Sequence, residues 1–348
     1  MSTEVALIRA KRQGLRVALA VTVGFCLGLV WGSTLPFLAP LFATQFLLAS
    51  RRPPPLRQGM VTVLVIIFTG ALMVFFTALL DDSPWVLLPL LWLVYFACFT
   101  AQGRRLGGAG PALILVIAIA VPMLDILQRD LGESIVLLLA KSVSLGLVLT
   151  WAAHAVLPDG ADEHTDEPLA PAYRLALVLH QAMASAAILL LMVALCLSDP
   201  RLATAMVVPI TVASLLSQFE LGMSGRAALG LLLLNLLGGI AASLAFALIE
   251  LRPALWLVAL VLLLVSLLFA GKAALGNATG KVFGGGLITF LILFGLGISP
   301  LPTSTAELFS TRIAYVLFAI VYALGLAALL WPRPHAPGQA PLLTSARE

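Results

Sequence analysis

The chain has 348 residues, of which 61% are hydrophobic and only 10% are charged, and its mean hydropathy is +1.09. Soluble globular domains carry roughly 25% charged residues, so this composition excludes an ordinary soluble protein and indicates an integral membrane protein. Lys and Arg (20) outnumber Asp and Glu (16). Most of the basic residues flank apolar segments, which is typical of membrane topology and argues against a nucleic-acid partner.

Apolar segments long enough for helices recur along the whole chain, whereas the ten-residue alternation of a membrane β-barrel is absent from the sequence. The sequence therefore predicts an all-α integral membrane protein with about 12 transmembrane helices. We place these helices, in chain order, at residues 15–34, 35–50, 60–80, 85–101, 109–127, 133–155, 174–197, 201–217, 227–249, 254–270, 280–298 and 307–331.

The distribution of basic residues tests the number of spans. With the N-terminus in the cytoplasm, 15 of the 20 Lys and Arg residues lie on the inner side, four lie on the outer side, and Lys141 lies within a span. Omitting the short second span would move six of the inner basic residues to the outer side. Because basic residues concentrate in cytoplasmic loops, we expect twelve spans with both termini in the cytoplasm.

An internal repeat relates the two halves of the chain. A shift of 169 residues superposes Pro40 on Pro209 and Arg57 on Arg226, and after a longer outer loop the shift becomes 174. One constant shift that matches residues of this kind indicates a duplicated unit. Each unit contains six helices, an even number, so the repeats are expected to lie parallel, related by a pseudo-two-fold axis along the membrane normal.

The repeat divides the chain into four parts. Residues 1–157 form the first six-helix repeat and residues 172–333 form the second. The segment between them, PDGADEHTDEPLAP at residues 158–171, is polar and acidic and is predicted to be a flexible cytoplasmic linker. Residues 334–348 are predicted to form a cytoplasmic tail.

The short second span of each repeat is the first candidate for a solute path. LPFLAPLFATQFLLAS contains Pro40, and its counterpart RLATAMVVPITVASLLS contains Pro209. A proline inside a helix leaves the carbonyl four residues earlier without its partner, and interrupted spans at matching positions mark the binding sites of transporters. The alternative is that the prolines only kink packed helices while hydroxyls bond to their own backbone. Other polar candidates in these spans are Thr44, Gln45, Thr211 and Ser214.

Three further polar residues lie inside predicted spans. Lys141 either extends its ammonium group to the outer surface or supplies a positive charge to an anion path, and a buried acidic partner is a third alternative. The repeat pairs Lys141 with Tyr315, so the charge is not duplicated. His180 could exchange protons near neutral pH or bond between helices, and Asn235 is typical of an interhelical hydrogen bond.

The sequence carries no recognisable catalytic motif. The segment GNATGKV at residues 276–282 has the wrong spacing for a nucleotide-binding loop, and neither a HExxH motif nor a G-x-S-x-G motif is present. We therefore predict that the protein is not an enzyme and has no catalytic residues, no metal site and no cofactor.

Two regions carry a resemblance to a known family. GLRVALAVTVGFCLGL and LPFLAPLFATQFLLASRRPPP resemble the opening of the fusaric acid resistance superfamily, which includes the aromatic acid exporters. TRIAYVLFAIVYALGLAALLWPRP, which contains Trp331 and Pro332, is similar to the end of a six-helix unit of that superfamily. The chain looks most like the short, twelve-span bacterial inner-membrane branch, which lacks the soluble cytoplasmic domain of the larger exporters.

This resemblance implies a multi-pass protein of the bacterial inner membrane that exports small, amphipathic, mainly anionic compounds. It also implies a periplasmic adaptor of the membrane-fusion type as a partner. Arg16 matches the family's arginine at the head of the first helix, which implies a role in topology and packing rather than in ligand binding.

The leading hypothesis is a secondary efflux transporter for small organic acids or amphipathic toxic compounds, with proton coupling as the expected energy source. Two alternatives are left open. One is a passive organic-anion channel whose pore follows the pseudo-two-fold axis. The other is a non-transporting membrane subunit that recruits the adaptor. The expected partners are the lipid bilayer, an anionic small molecule and the adaptor, and the sequence leaves a homo-oligomer open.

Overall fold

A computed structural model describes residues 3–50, 52–80, 83–104, 106, 110–127, 132–158, 175–198, 207–218, 225–275, 278–299 and 309–331. Within these ranges the chain forms twelve α-helices and no β-strand. The predicted all-α class is therefore confirmed for the part of the chain that the structure describes.

Each of the twelve predicted segments corresponds to one helix. The largest difference is at α1, which begins about one dozen residues earlier than predicted and ends near the middle of the outer turn. The helices are α1 (Thr3–Val30), α2 (Leu38–Ala49), α3 (Leu56–Leu79), α4 (Pro84–Gly103), α5 (Gly110–Leu127), α6 (Gly132–Val156), α7 (Leu175–Ser198), α8 (Val207–Gln218), α9 (Gly225–Leu251), α10 (Leu255–Ala273), α11 (Ala278–Ile298) and α12 (Phe309–Leu330).

The lengths of the helices support a multi-pass membrane protein. By length and composition, seven of the described helices are able to cross a membrane, namely those within α1, α3, α4, α6, α7, α9 and α10. Shorter apolar helices make up the rest. The shortest are α2 and α8, with 12 residues each. Each is about 18 Å long, well short of the roughly 30 Å hydrocarbon core of a bilayer.

A glycine turn at the end of α1 reverses the chain and positions α2. The N–H of Ser33 donates to the carbonyl of Gly28 at 2.9 Å, and the N–H of Gly32 donates to Leu29 at 3.1 Å. Gly32 has a φ of +65°, so these bonds form a Schellman motif, which requires a left-handed residue at this position. A Cβ on Gly28 would lie only 3.0 Å from Pro36, so the absence of a side chain lets the returning chain pack directly on α1.

The two conserved positions of the repeat pattern, Pro40 and Pro209, do not interrupt helices. α2 begins at Leu38 and α8 begins at Val207, so each proline is the third residue of its helix. The N–H groups of a first turn have no acceptor within the helix, so a proline there costs no helical hydrogen bond. The predicted interruption is therefore wrong. Pro36, whose carbonyl was expected to be released, precedes α2, and residue 205 lies outside the described residues.

The first six helices contact the last six in corresponding pairs. α1 packs on α10 and α4 packs on α7, while α2 packs on α11 and α5 packs on α8. Within each group of six, α2 also packs on α6 and α8 packs on α12. The short helices α2 and α8 are thus enclosed by helices from both groups, and eight of the 12 residues of α2 are buried.

Candidate functional site

Three consecutive glycines in α11, Gly284–Gly286, allow neighbouring helices to approach its backbone closely. A Cβ on Gly284 would lie 3.2 Å from a methyl carbon of Leu48 in α2. A Cβ on Gly285 would overlap Oε1 of Gln218 in α8 and would lie 2.6 Å from its Cδ. The short helices α2 and α8 therefore meet α11 at adjacent residues, and the amide of Gln218 occupies the space that a side chain would fill.

The third glycine brings in two more helices. A Cβ on Gly286 would lie 2.8 Å from the carbonyl oxygen of Leu234 in α9 and 2.7 Å from the ring of Phe269 in α10. A Cβ on Gly238 of α9 would in turn overlap the carbonyl oxygen of Gly286. Four helices therefore converge on this short stretch of α11, which is possible because none of the three residues carries a side chain.

Beside the glycines, four polar side chains form a hydrogen-bonded chain that links α8, α9 and α11. The amide nitrogen of Gln218 donates to the hydroxyl of Ser214 at 2.9 Å, and the amide nitrogen of Asn235 donates to Oε1 of Gln218 at 3.4 Å. The hydroxyl of Thr289 donates to Oδ1 of Asn235. Asn235 and Thr289 are fully buried, and we call these four residues the polar cluster.

Thr211 adds an unpartnered hydroxyl next to the polar cluster. It precedes Ser214 by three residues and so lies on the same face of α8. Its side chain is only 1% exposed, and its hydroxyl oxygen has no hydrogen-bond partner. An unsatisfied buried hydroxyl costs roughly 1–3 kcal/mol, so this group is expected to bind a water molecule or a solute. The hydroxyl of Thr44 differs, because it donates to the carbonyl of Pro40 at 2.8 Å, which is the backbone bond named above as the alternative.

Gln45 supplies a second unpartnered oxygen, on α2. Its Oε1 is buried and has no hydrogen-bond partner. Gln45 precedes Leu48 by three residues, and Leu48 is the residue that packs beside Gly284. Residues three apart share a helix face, so Gln45 lies on the side of α2 that meets α11.

Lys141 and His180 lie elsewhere, on outward faces of the bundle. Lys141 is exposed in the middle of α6, on one face with Leu137 (60% exposed) and Val148 (52% exposed). His180 is exposed on α7, on one face with the exposed Leu191. In a membrane protein, exposed apolar faces of this kind contact lipid. The structure therefore brings neither residue to the polar cluster, and the position of Lys141 favours an ammonium group that extends to the membrane surface.

Arg16 is a packing residue. It is buried within α1, some 13 residues after the helix begins rather than at its head. Its Nε donates to the carbonyl of Leu157 at 2.9 Å, Nη2 donates to the same carbonyl, and Nη1 donates to Oε1 of Gln13 at 3.0 Å. The amide nitrogen of Gln13 donates to the carbonyl of Leu47 at 2.5 Å. Arg16 thus places a positive charge at the C-terminal end of α6, where the helix dipole favours it, and joins α1 to α2 and α6.

Sequence reasoning missed two members of the polar cluster and the residues that make room for it. Gln218 falls one position beyond the predicted span, and Thr289 was passed over among the apolar residues of α11. The available signal was the triplet Gly284–Gly286 inside a predicted span, because consecutive glycines weaken a helix and usually mark a close approach of backbone or side chain.

The chemistry of the polar cluster is hydrogen bonding. Its members are two amides and two hydroxyls, which can hold a polar solute but cannot act as a proton-transferring acid or base at neutral pH. Among the described residues, no group of three or more His, Cys, Asp or Glu side chains could hold a metal ion. The cluster is therefore suited to binding.

Comparisons with known proteins identify no relative. No family model, no curated protein and no solved structure matches the chain. The resemblance to the fusaric acid resistance superfamily therefore rests on the sequence segments quoted above, and the site is interpreted from its own geometry.

Proposed function

We propose that this protein is a secondary transporter of the bacterial inner membrane that exports small organic acids or amphipathic toxic compounds, and that the polar cluster is its solute-binding site. The observation that carries the proposal is the buried chain of hydrogen bonds from Ser214 to Thr289, with the unpartnered Thr211 hydroxyl beside it. Polar groups are expensive inside a membrane and often mark a solute path. The competing role is interhelical adhesion, which would leave no hydroxyl unsatisfied.

The proposed architecture is twelve spans in two parallel six-helix repeats with both termini in the cytoplasm. The corresponding contacts of α1 with α10 and α4 with α7, and of α2 with α11 and α5 with α8, support this arrangement, because a two-fold axis exchanges the members of each pair. In this arrangement α2 and α8 lie at the centre, where the two repeats meet.

The polar cluster belongs to one repeat only, which favours a transporter over a channel. At the shift of 169 residues, Asn235 corresponds to Ile66 and Thr289 corresponds to Ala120, and both apolar counterparts are buried. A pore along the pseudo-two-fold axis would be lined by equivalent residues from both repeats. A one-sided cluster instead supports a binding site within the second repeat that opens when the repeats move relative to each other.

The resemblance to the superfamily supplies the outward direction of transport and a periplasmic membrane-fusion adaptor as partner. The missing nucleotide-binding motif supports a secondary mechanism, with protons as the coupling ion. Since His180 lies on an outward face of α7, we do not assign proton transfer to its side chain.

Transport by purified protein in lipid vesicles tests the proposal. Uptake of a panel of radiolabelled aromatic acids should exceed that of protein-free vesicles, and Thr289→Val should lower it several-fold because the hydroxyl bonded to Asn235 is lost. Thr77→Val is the matched control, since Thr77 is equally buried but donates only to the carbonyl of Met73. No uptake above the protein-free level would refute transport. An equal effect of both substitutions would refute the assignment of the polar cluster.

A further inference from the structure

All side chains at the candidate site are neutral, and together they offer both donors and acceptors. The amide nitrogen of Gln218 carries a second hydrogen beyond the one donated to Ser214, and the Ser214 hydroxyl, which accepts that bond, still has its own hydrogen. The hydroxyl of Thr211 can donate and accept. A solute at this site therefore meets a mixed set of hydrogen-bonding groups.

The unpartnered oxygen of Gln45 can only accept. An amide carbonyl oxygen attracts N–H and O–H groups and repels the oxygens of a carboxylate. Its position on the face of α2 that meets α11 places it across α11 from Gln218 of the polar cluster. A bound group that donates a hydrogen would satisfy this oxygen, whereas a carboxylate would leave it unsatisfied.

The charged residues of the helices that carry the cluster are distant along those helices. On α9, Arg226 precedes Asn235 by nine residues, and on α11, Lys281 precedes Thr289 by eight residues. At 1.5 Å per residue these separations are about 13 Å and about 12 Å along the helix axes. The described residues of α8, 207–218, include no charged side chain. A buried carboxylate needs a close cation or several directed donors to offset its lost hydration.

From these observations we infer that the polar cluster, with Thr211 and Gln45, recognises an uncharged hydrogen-bonding group of its solute. Suitable groups are a hydroxyl, an amide or a protonated carboxyl, and the site discriminates against the carboxylate form. The inference rests on the proposed transport function and narrows its substrate class: an organic acid passes this site in its neutral form.

Nicotinamide and nicotinate are suitable probes because they share one ring and differ in whether the substituent is a neutral amide or, at pH 8, an anionic carboxylate. We expect radiolabelled nicotinamide to enter vesicles containing the protein at least tenfold faster than nicotinate, after subtraction of flux into protein-free vesicles. Thr289→Val should lower the nicotinamide flux about tenfold, the effect of losing one hydrogen bond of roughly 1.4 kcal/mol. Thr289→Ser, which keeps the hydroxyl, should retain most of the flux, and Thr77→Val should retain all of it.

The possible results separate this inference from the proposed function. A nicotinate flux that equals or exceeds the nicotinamide flux and falls with Thr289→Val would overturn the inference and leave transport in place. The same conclusion follows if aromatic acids enter and depend on Thr289 while nicotinamide does not enter. If no solute enters above the protein-free level, both the inference and the proposed function fail.

Discussion

Substitution of Gly285 by alanine tests how the polar cluster is built. The new Cβ would overlap Oε1 of Gln218 and lie 2.6 Å from its Cδ, whereas ordinary contact begins near 3.4 Å. The amide must therefore withdraw by about 0.8 Å or more, which breaks its bonds with Ser214 and Asn235. At roughly 0.5–1.5 kcal/mol for each hydrogen bond, the loss is about 1–3 kcal/mol.

Gly284→Ala is the matched control for this substitution. It makes the same chemical change one residue earlier, but its Cβ would meet only the flexible end of Leu48 at 3.2 Å. Both variants gain roughly 0.5–1 kcal/mol because alanine favours the helix. The difference between the two variants therefore isolates the disruption of Gln218, and Gly285→Ala should be the less stable by about 1–3 kcal/mol.

The measurement is the apparent melting temperature of purified protein in detergent, followed by tryptophan fluorescence, together with solute uptake in vesicles. Gly285→Ala should melt at a lower temperature than Gly284→Ala and should lose uptake. Adding Gln218→Ala removes the overlapping amide, so in that background Gly285→Ala should cost little stability, which gives a double-mutant cycle. If Gly285→Ala destabilises equally with and without Gln218, overlap with the amide is not the cause and the reasoning fails.

Two further predictions concern residues that the sequence suggested for a solute path. Lys141→Met should leave uptake unchanged within about twofold in vesicles, because the exposed face that Lys141 shares with Leu137 and Val148 lies away from the polar cluster; a tenfold loss would show that the ammonium group takes part in transport. Pro40→Ala and Pro209→Ala should each change the melting temperature only slightly, since both residues lie in first turns where no helical bond is missing, and a marked change in uptake without a change in stability would restore the prolines to the path.

The helices were predictable because the length and spacing of apolar segments depend on local sequence alone. The predicted segment at residues 60–80 matches α3 (Leu56–Leu79), and that at 133–155 matches α6 (Gly132–Val156). The start of α1 was placed too late because Arg9, Lys11 and Arg12 were assigned to a loop at the membrane surface. A helix can nevertheless continue through such residues, since Lys and Arg have good helix propensity and their side chains reach water.

The contents of the site were less predictable, because they depend on which helices meet. Ser214 and Asn235 were identified as polar residues inside spans, but their connection runs through Gln218, which only the packing of α8 against α9 reveals. The difference between Thr44 and Thr211 was equally hidden. Both are buried threonines on the short helices, yet only Thr44 bonds to its own backbone.

Energetics connect the neutral side chains of the site with the energy source proposed for transport. A unit charge about 12 Å away, as Lys281 is along α11 from Thr289, contributes only about 1.4 kcal/mol at an effective dielectric constant of 20. Removing a carboxylate from water costs several kcal/mol even after relaxation. Protonating an acid with a pKa near 4.3 at pH 7 costs about 3.7 kcal/mol, which is a comparable amount. An organic acid that enters the polar cluster in protonated form brings its own proton across the membrane, so coupling to protons would arise from the solute and would not require a titrating side chain such as His180.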